Sequence, residues 1–383
     1  MSDRGSLVIG VRDLSMRGWT AGGVVTRTMA LALRGAGADI VYASTSSERV
    51  PQGVRGAIVG KAKYIPAEWT FRKWLGKEPK EESAKCLRSA GATILLPAVD
   101  AVQISSTPSI GWIPDFQHLH LPELFSPQVV KTRNERFLLL AQKSRLVWLT
   151  SEDAAGDFRR TFPTEARKAR VAPFPSLFAY EPPGDDGHRA LEAYHLPEKY
   201  LLVVNQFWRH KNHRAVAEAL GILRKQGLRI PAVMAGMPSD HRDQENSALN
   251  ETLQALVKGG AWADCLVLGK IPRVEVQALL QRASVLVQPS RFEGWNTSVE
   301  DAKALGCPVV LSDIAVHREQ CPDALGFFPC GEPQKLADIL GKCWESLPAR
   351  PDPEREQTAL QVADLRGLEF GKRMMDYCRE ASG

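Results

Sequence analysis

Pro289-Ser290-Arg291-Phe292-Glu293-Gly294-Trp295-Asn296-Thr297-Ser298-Val299-Glu300-Asp301-Ala302-Lys303-Ala304-Leu305-Gly306-Cys307-Pro308-Val309 lies between two apolar runs, Ser284-Val285-Leu286-Val287 and Val309-Val310-Leu311. This order reads as strand, polar turn with a carboxylate, helix start, second carboxylate, helix end at Gly306, strand. Asn296, Thr297 or Ser298 can cap the helix. The free N–H groups of its first turn favour an anion, by about 0.3–1 kcal/mol at an exposed site. Glu293 falls in the turn and Asp301 in the second helical turn, while Val299, Ala302 and Leu305 share a face that should bury against a sheet. Glu300 is roughly 100° around from Asp301, so the two cannot meet one ligand atom. A carboxylate and several N–H groups are thus aimed at the carboxyl end of a parallel sheet. A ligand bearing both hydroxyls and phosphates would suit that place. The plain alternative is a capped helix with two surface acids.

Outward from this stretch, strands and helices alternate. With 383 residues the chain exceeds one ordinary core, so two domains are expected. The first half has strand-like runs at Leu7 to Val11, Asp39-Ile40-Val41-Tyr42, Ala92 to Leu96, Ser109 to Ile113, Leu146 to Leu149 and Ala169-Arg170-Val171. Helical spacing occupies Val24 to Arg34 and about 78–90, 127–143 and 151–161. Phe174 to Gly187, rich in Pro, Gly and Asp, reads as a linker. A second series opens at Tyr200-Leu201-Leu202-Val203-Val204. Its further strands are Ala232 to Met234, Leu266 to Leu268, Ser284 to Val287, Val309 to Leu311 and Gly326 to Phe328. Helices are expected near 211–227, 245–258, 273–282, 297–305 and 332–346. The last helical pattern, about 355–380, has no strand to follow it and is expected to pack back on the first domain. The predicted architecture is α/β, two doubly wound Rossmann-like domains facing across a crevice. Their bounds are set at 1–180 and 190–350, with 351–383 as a helical segment.

The net charge of +5 permits an anionic partner without demanding one, and nothing in the sequence calls for nucleic acid. No apolar run approaches a membrane span, and Met1-Ser2-Asp3-Arg4-Gly5 lacks a secretory apolar core. Seven cysteines without a Cys-x-x-Cys pair read as reduced thiols, and a cytoplasmic location is expected. There is no Gly-x-Gly-x-x-Gly after a strand, no Walker loop and no Asp-x-Asp. Gly22-Gly23, between the first strand and first helix, suit either a tight turn or close approach to a phosphate or acceptor. Asn205-Gln206-Phe207-Trp208-Arg209-His210-Lys211-Asn212-His213 sets three potential cations beside two aromatics, as a pyrophosphate clamp or a solvated helix start. Gly111-Trp112-Ile113-Pro114-Asp115-Phe116-Gln117-His118-Leu119-His120-Leu121-Pro122-Glu123 reads as a polar loop. It either is structural or reaches substrate through His118 or Asp115. Its spacing is not that of a zinc site, and no metal is expected.

The second half resembles the retaining glycosyltransferases of the family 4 type, which have the GT-B fold. The matching residues are Lys211-Asn212, Leu268-Gly269, Pro289-Ser290-x-x-Glu293-Gly294, Gly306-Cys307-Pro308-Val309 and Ser312-Asp313-Ile314-Ala315-Val316-His317-Arg318-Glu319. Residues 200–345 carry the resemblance, and the first half matches loosely through Gly22-Gly23 and the Asp115/His118 loop. The resemblance implies that Glu293 bonds hydroxyls of a donor sugar and that Asp301, where the family has Glu, bonds the ribose. Gly294, Trp295 and Asn296 would line the donor site, with Thr297 and Ser298 at the phosphates. Lys211 matches the phosphate lysine. The partner arginine is expected where Gln206 stands, and Arg209 is the candidate to replace it. His118 matches the histidine near the sugar.

The resemblance also implies transfer, without metal or cofactor, from a nucleoside-diphosphate sugar to a hydroxyl of a glycan or lipid-linked acceptor, with retention. Lys211, Arg209 and the helix start near Thr297 would meet the charge growing on the leaving phosphate. Alternatives are a non-catalytic nucleotide-sugar-binding scaffold, or an epimerase or phosphorylase on the same fold. Lys61, Lys63, Arg72, Lys73 and Lys77, mixed with Tyr64, Trp69, Phe71 and Trp74, suggest peripheral contact with an anionic membrane at its inner face. A packed helix with snorkelling lysines is the ordinary alternative.

Overall fold

The computed structural model describes residues 7–15, 20–58, 80–100, 107–181, 186–238, 246–350 and 352–383. The basic-aromatic stretch from Lys61 to Lys77 lies outside the described residues. The chain divides into two compact units. Unit 1 is Met1–Tyr180 with Leu365–Gly383, and unit 2 is Glu181–Asp364.

Unit 1 runs β1 (Val8–Arg12), α1 (Thr20–Gly35), β2 (Asp39–Ser44), β3 (Arg55–Ile58), α2 (Lys80–Ser89), β4 (Ile94–Ala98) and β5 (Ser109–Trp112). It continues through α3 (Gln117–His120), α4 (Pro127–Lys143), β6 (Leu146–Leu149), α5 (Glu152–Thr161) and β7 (Ala169–Val171). Its seven strands form a parallel sheet in the order β3-β2-β1-β4-β5-β6-β7. The strand β3 escaped the sequence reading because Arg55-Gly56-Ala57-Ile58 is short, glycine-containing and at the sheet edge. Helix α1 starts at Thr20, so Gly22 and Gly23 lie in its first turn and not before it. A Cβ on Gly23 would run into the Ser15 hydroxyl, with Ser15 Cβ at 3.1 Å. The glycine therefore serves a close backbone approach inside the protein.

Unit 2 comprises α6 (Asp186–Leu191), β8 (Leu201–Val204), α7 (His213–Lys225), β9 (Ala232–Ala235), α8 (Ser247–Gly259), β10 (Cys265–Gly269) and α9 (Arg273–Arg282). It continues through β11 (Val285–Gln288), α10 (Thr297–Ala304), β12 (Val309–Ser312), α11 (Ala315–Gln320), β13 (Gly326–Phe328) and α12 (Pro333–Cys343). Six parallel strands stand in the order β10-β9-β8-β11-β12-β13. Alternate residues Leu201 and Val203, Ala232 and Met234, and Val285 and Val287 pack with Val216, Leu220 and Leu223 of α7 and Leu336 and Leu340 of α12. Leu202 and Leu286, between them, are also buried, so both sheet faces are covered. That is why these strands read as unbroken apolar runs.

The strand order reverses between β8 and β11, and residues following these two strands are brought together at the carboxyl edge, the topological switch point of such a sheet. Helix α10 ends as its sequence dictates. Gly306 takes a left-handed φ of 64°, and Cys307 N–H donates to Ala302 O at 2.8 Å. The final helix, α13 (Pro353–Ser382), begins in unit 2, and from Leu365 on belongs to unit 1. There Phe370 lies 6.0 Å from the Trp148 ring, and Tyr377 Oη donates to Val171 O at 2.8 Å. The expected return of the C-terminal helix to the first half is thus observed. All seven cysteines are free thiols. Among the described residues no helix is long and apolar enough to cross a membrane.

Candidate functional site

The residues after β8 and β11 build the candidate site in unit 2. The chain leaves β8 through Asn205, turns at Arg209–Lys211 and enters α7 by way of Asn212. Asn212 holds a left-handed φ of 55°, a conformation asparagine tolerates better than most residues. Its side-chain Nδ2 donates to Pro289 O at 3.1 Å and to Cys330 O at 3.0 Å. These bonds tie the turn after β8 to the loop after β11 and aim Lys211 at that loop. Lys211 Nζ lies 2.6 Å from Glu293 Oε1, with both side chains largely buried. The same carboxylate oxygen accepts from Asn296 Nδ2 at 3.0 Å.

Asn296 also caps α10. Its Oδ1 accepts from Ser298 N–H at 3.0 Å and Val299 N–H at 3.3 Å. Two N–H groups of the first turn are therefore used inside the protein, which corrects the expectation of several left free for an anion. Ser298 Oγ donates to Val204 O at 3.0 Å, so this hydroxyl braces α10 against the end of β8. Gly294, Trp295 and Thr297 are partly exposed along the same rim.

Asp301 is buried, and Arg273 Nη2 reaches its two oxygens at 3.3 and 3.2 Å. No motif marked Arg273, because it precedes β11 and Asp301 follows it, and only the folded sheet brings the two together. Glu300, which points away from Asp301 as expected, is buried with Oε1 accepting from Lys303 Nζ at 2.8 Å and Gln320 Nε2 at 3.0 Å. Arg209 does not join the Lys211 cluster. It is exposed and lines a 270 Å³ cavity with Arg214, Glu218, Glu251, Arg291 and Cys330. Gln206 is half-buried and its carbonyl accepts from Trp208 N–H at 2.7 Å.

Two histidines flank this cluster. His213 is sealed and stacks on Phe207 with ring centres 4.2 Å apart. Burial pushes its pKa down to about 3, against a smaller pull from the Asn205 backbone. His317 is fully buried, and burial likewise lowers its pKa, with Glu293 opposing.

In unit 1, the expected polar loop is partly the short helix α3. Asp115 Oδ1 accepts from Gln117 N–H and from Arg133 Nη2, both at 2.9 Å. The Arg133 guanidinium stacks over Phe125 and Phe137. His118 is fully buried among Phe116, Phe125 and Phe137, with Nε2 2.8 Å from Asn134 Oδ1. Burial lowers its pKa, so the ring is neutral near pH 7. Its Nδ1 is buried without a protein partner.

Residues 189–352 match the family model of glycosyl transferases group 1. Over 184 residues the chain is 27% identical to O-antigen chain mannosyltransferase B of Escherichia coli. That alignment spans 48% of this chain and 44% of that protein, less than half of its length. Among solved structures, sucrose-phosphate synthase of Thermosynechococcus elongatus superposes with a TM-score of 0.67 at 16% identity, covering 97% of each chain. HepE of Anabaena, in complex with UDP and glucose, gives 0.65 at 16% identity over 97% of this chain and 98% of that one. A UDP-forming α,α-trehalose-phosphate synthase of Burkholderia vietnamiensis gives 0.65 at 15% identity, over 97% and 96%. Residues 189–352 thus resemble the glycosyl transferases group 1, in a chain that has the GT-B fold.

Proposed function

We propose that the protein is a retaining, metal-independent glycosyltransferase that moves a sugar from a nucleoside-diphosphate sugar to a hydroxyl of a glycan or lipid-linked acceptor. The observation that carries the reading is the Lys211–Glu293 pair, 2.6 Å long, at the switch point of the unit 2 sheet. One ammonium and one carboxylate there match the two halves of such a donor, phosphate and sugar hydroxyl. Asp301 supplies a second carboxylate for the ribose, and reaching it requires the ribose to compete with Arg273. The complexes of HepE with UDP and glucose and the UDP-forming synthase favour a nucleotide donor. The O-antigen mannosyltransferase favours a glycan acceptor.

In the reaction, the bond between the sugar C1 and the β-phosphate oxygen breaks with its electron pair on the phosphate. Lys211 meets that growing charge, a preorganised contact that costs no reorganisation at the moment of reaction. The acceptor oxygen bonds to C1 on the face the phosphate leaves, and its proton passes to the departing phosphate oxygen. Glu293 holds the sugar hydroxyls through this exchange. Among the described residues no pair of carboxylates is set to act as nucleophile and acid, so the hydrolase scheme is not favoured. Unit 1 takes the acceptor in this reading. There Asp115, partly exposed, is the candidate contact, while His118 is buried and Gly23 packs against Ser15.

The test is incubation with a panel of UDP- and GDP-sugars, with and without acceptor glycans. Release of nucleoside diphosphate only with acceptor, and an anomeric configuration unchanged by NMR, are expected. Binding without turnover would instead mark a scaffold, and an inverted product would remove retention.

A further inference from the structure

The loop from Ser290 to Asn296 carries Glu293, and α11 grips that loop at both ends. At its far end the Gln320 side chain brackets one residue. Gln320 Oε1 accepts from Asn296 N–H at 3.2 Å, and Gln320 Nε2 donates to Asn296 O at 2.8 Å. The amide thus mimics a neighbouring strand and holds Asn296 extended, at φ −99° and ψ 110°. Gln320 is itself fixed, because Nε2 also donates to Glu300 Oε1 at 3.0 Å and its carbonyl accepts from Lys303 Nζ at 2.7 Å. One turn earlier, His317 Nδ1 lies 3.0 Å from Ser312 Oγ, and Ser312 Oγ donates to Ser290 O at 2.6 Å. The Ser290 carbonyl can only accept, so the serine proton is committed to it and the histidine proton sits on Nδ1.

Building on the donor-site reading above, we propose that Gln320 is a positioning residue for Glu293, acting through Asn296. Asn296 is where three tasks converge: it caps α10 with Oδ1, bonds Glu293 with Nδ2, and takes its backbone direction from Gln320. Asn296 and Gln320 are each 3% exposed. Water cannot replace a lost amide there, so the Asn296 N–H would be left unpaired and its C=O would keep only the Glu300 N–H, at 3.2 Å. Glu300, no donor contact itself, anchors the clamp.

The test uses the full chain with Gln320→Met, which keeps length and apolar bulk and removes both bonds to Asn296 and the one to Glu300. In the ligand-free protein, hydrogen–deuterium exchange at the Ser298 and Val299 amides should quicken at least fivefold while that of β8 stays unchanged. With a donor that turns over, kcat should fall at least tenfold while affinity for the nucleoside diphosphate stays within twofold. Asn296→Ala combined with Gln320→Met should be no slower than Asn296→Ala alone. Unchanged exchange at Ser298 and Val299, or losses that multiply in the double variant, would overturn the proposal. Gln320→Asn, which keeps the amide but is one methylene too short to reach Asn296 well, should exchange at an intermediate rate and serves if Gln320→Met does not fold. Exchange equal to the unsubstituted protein in that variant also overturns it. If no nucleotide sugar is turned over, the donor reading falls, and the exchange measurement still decides the role of Gln320.

Discussion

Lys211 Nζ and Glu293 Oε1 stand 2.6 Å apart in unit 2, so the two charged groups assigned to opposite ends of the donor neutralise each other in the ligand-free protein. A buried ion pair is weak support for stability, yet removing one member leaves the other uncompensated, at about 3–5 kcal/mol. Lys211→Ala should therefore lower unfolding free energy by roughly that amount, and Lys211→Met with Glu293→Leu should recover most of it. Denaturant melts measure both. Turnover should fall about 10²-fold or more in either single variant that remains folded. Loss within twofold in Lys211→Ala or Glu293→Ala would remove the proposed chemistry.

Asn212 joins two loops by side-chain bonds and also carries a left-handed backbone. Asn212→Gly keeps the conformation and loses both bonds, at about 1–3 kcal/mol. Asn212→Ala adds about 1–2 kcal/mol for the left-handed φ. The order of stability by urea unfolding should be unsubstituted, then Gly, then Ala. An alanine variant as stable as the glycine one would show that the turn relaxes.

Asp301 is the shorter acid where the resemblance implies ribose recognition. Asp301→Ala should weaken ribonucleoside diphosphate binding by about 1–3 kcal/mol, as loss of hydrogen bonds in a buried site does. A 2′,3′-dideoxy analogue should bind both proteins alike. Titration calorimetry with the two nucleotides reads the difference, and equal losses for both would detach Asp301 from the ribose.

His213 gives a pH signature. Its folded pKa of about 3 is below the unfolded value, so the unfolded chain binds the proton better. Stability from this residue is intact above the unfolded pKa, near 6.5, and is lost progressively as pH falls toward about 3. His213→Phe keeps the stack on Phe207 and cannot titrate. Between pH 7 and 5 the variant should gain about 1–2 kcal/mol relative to the unsubstituted protein. A constant difference across that range would mean His213 charges without opening the core.

The sequence by itself determined the elements and the chemistry along each one. Apolar runs of strand length fixed nearly every strand, because both sheet faces are covered and leave no polar alternation to confuse. The helix from Thr297, its cap at Asn296 and its stop at Gly306 were legible because propensity, capping and left-handed glycine act within one turn. So were Lys211 and Glu293 as charges at strand ends. Tertiary structure alone decided their partners. Lys211 meets Glu293, Arg273 meets Asp301 and Gln320 grips Asn296 because the segments that follow parallel strands β8, β10, β11 and β12 leave from one edge, joining residues 82, 28 and 24 positions apart. Long-range pairing of this kind leaves no periodic trace in a chain. The same folding left Arg209 exposed and buried His118, since a side chain's exposure depends on what packs behind each turn.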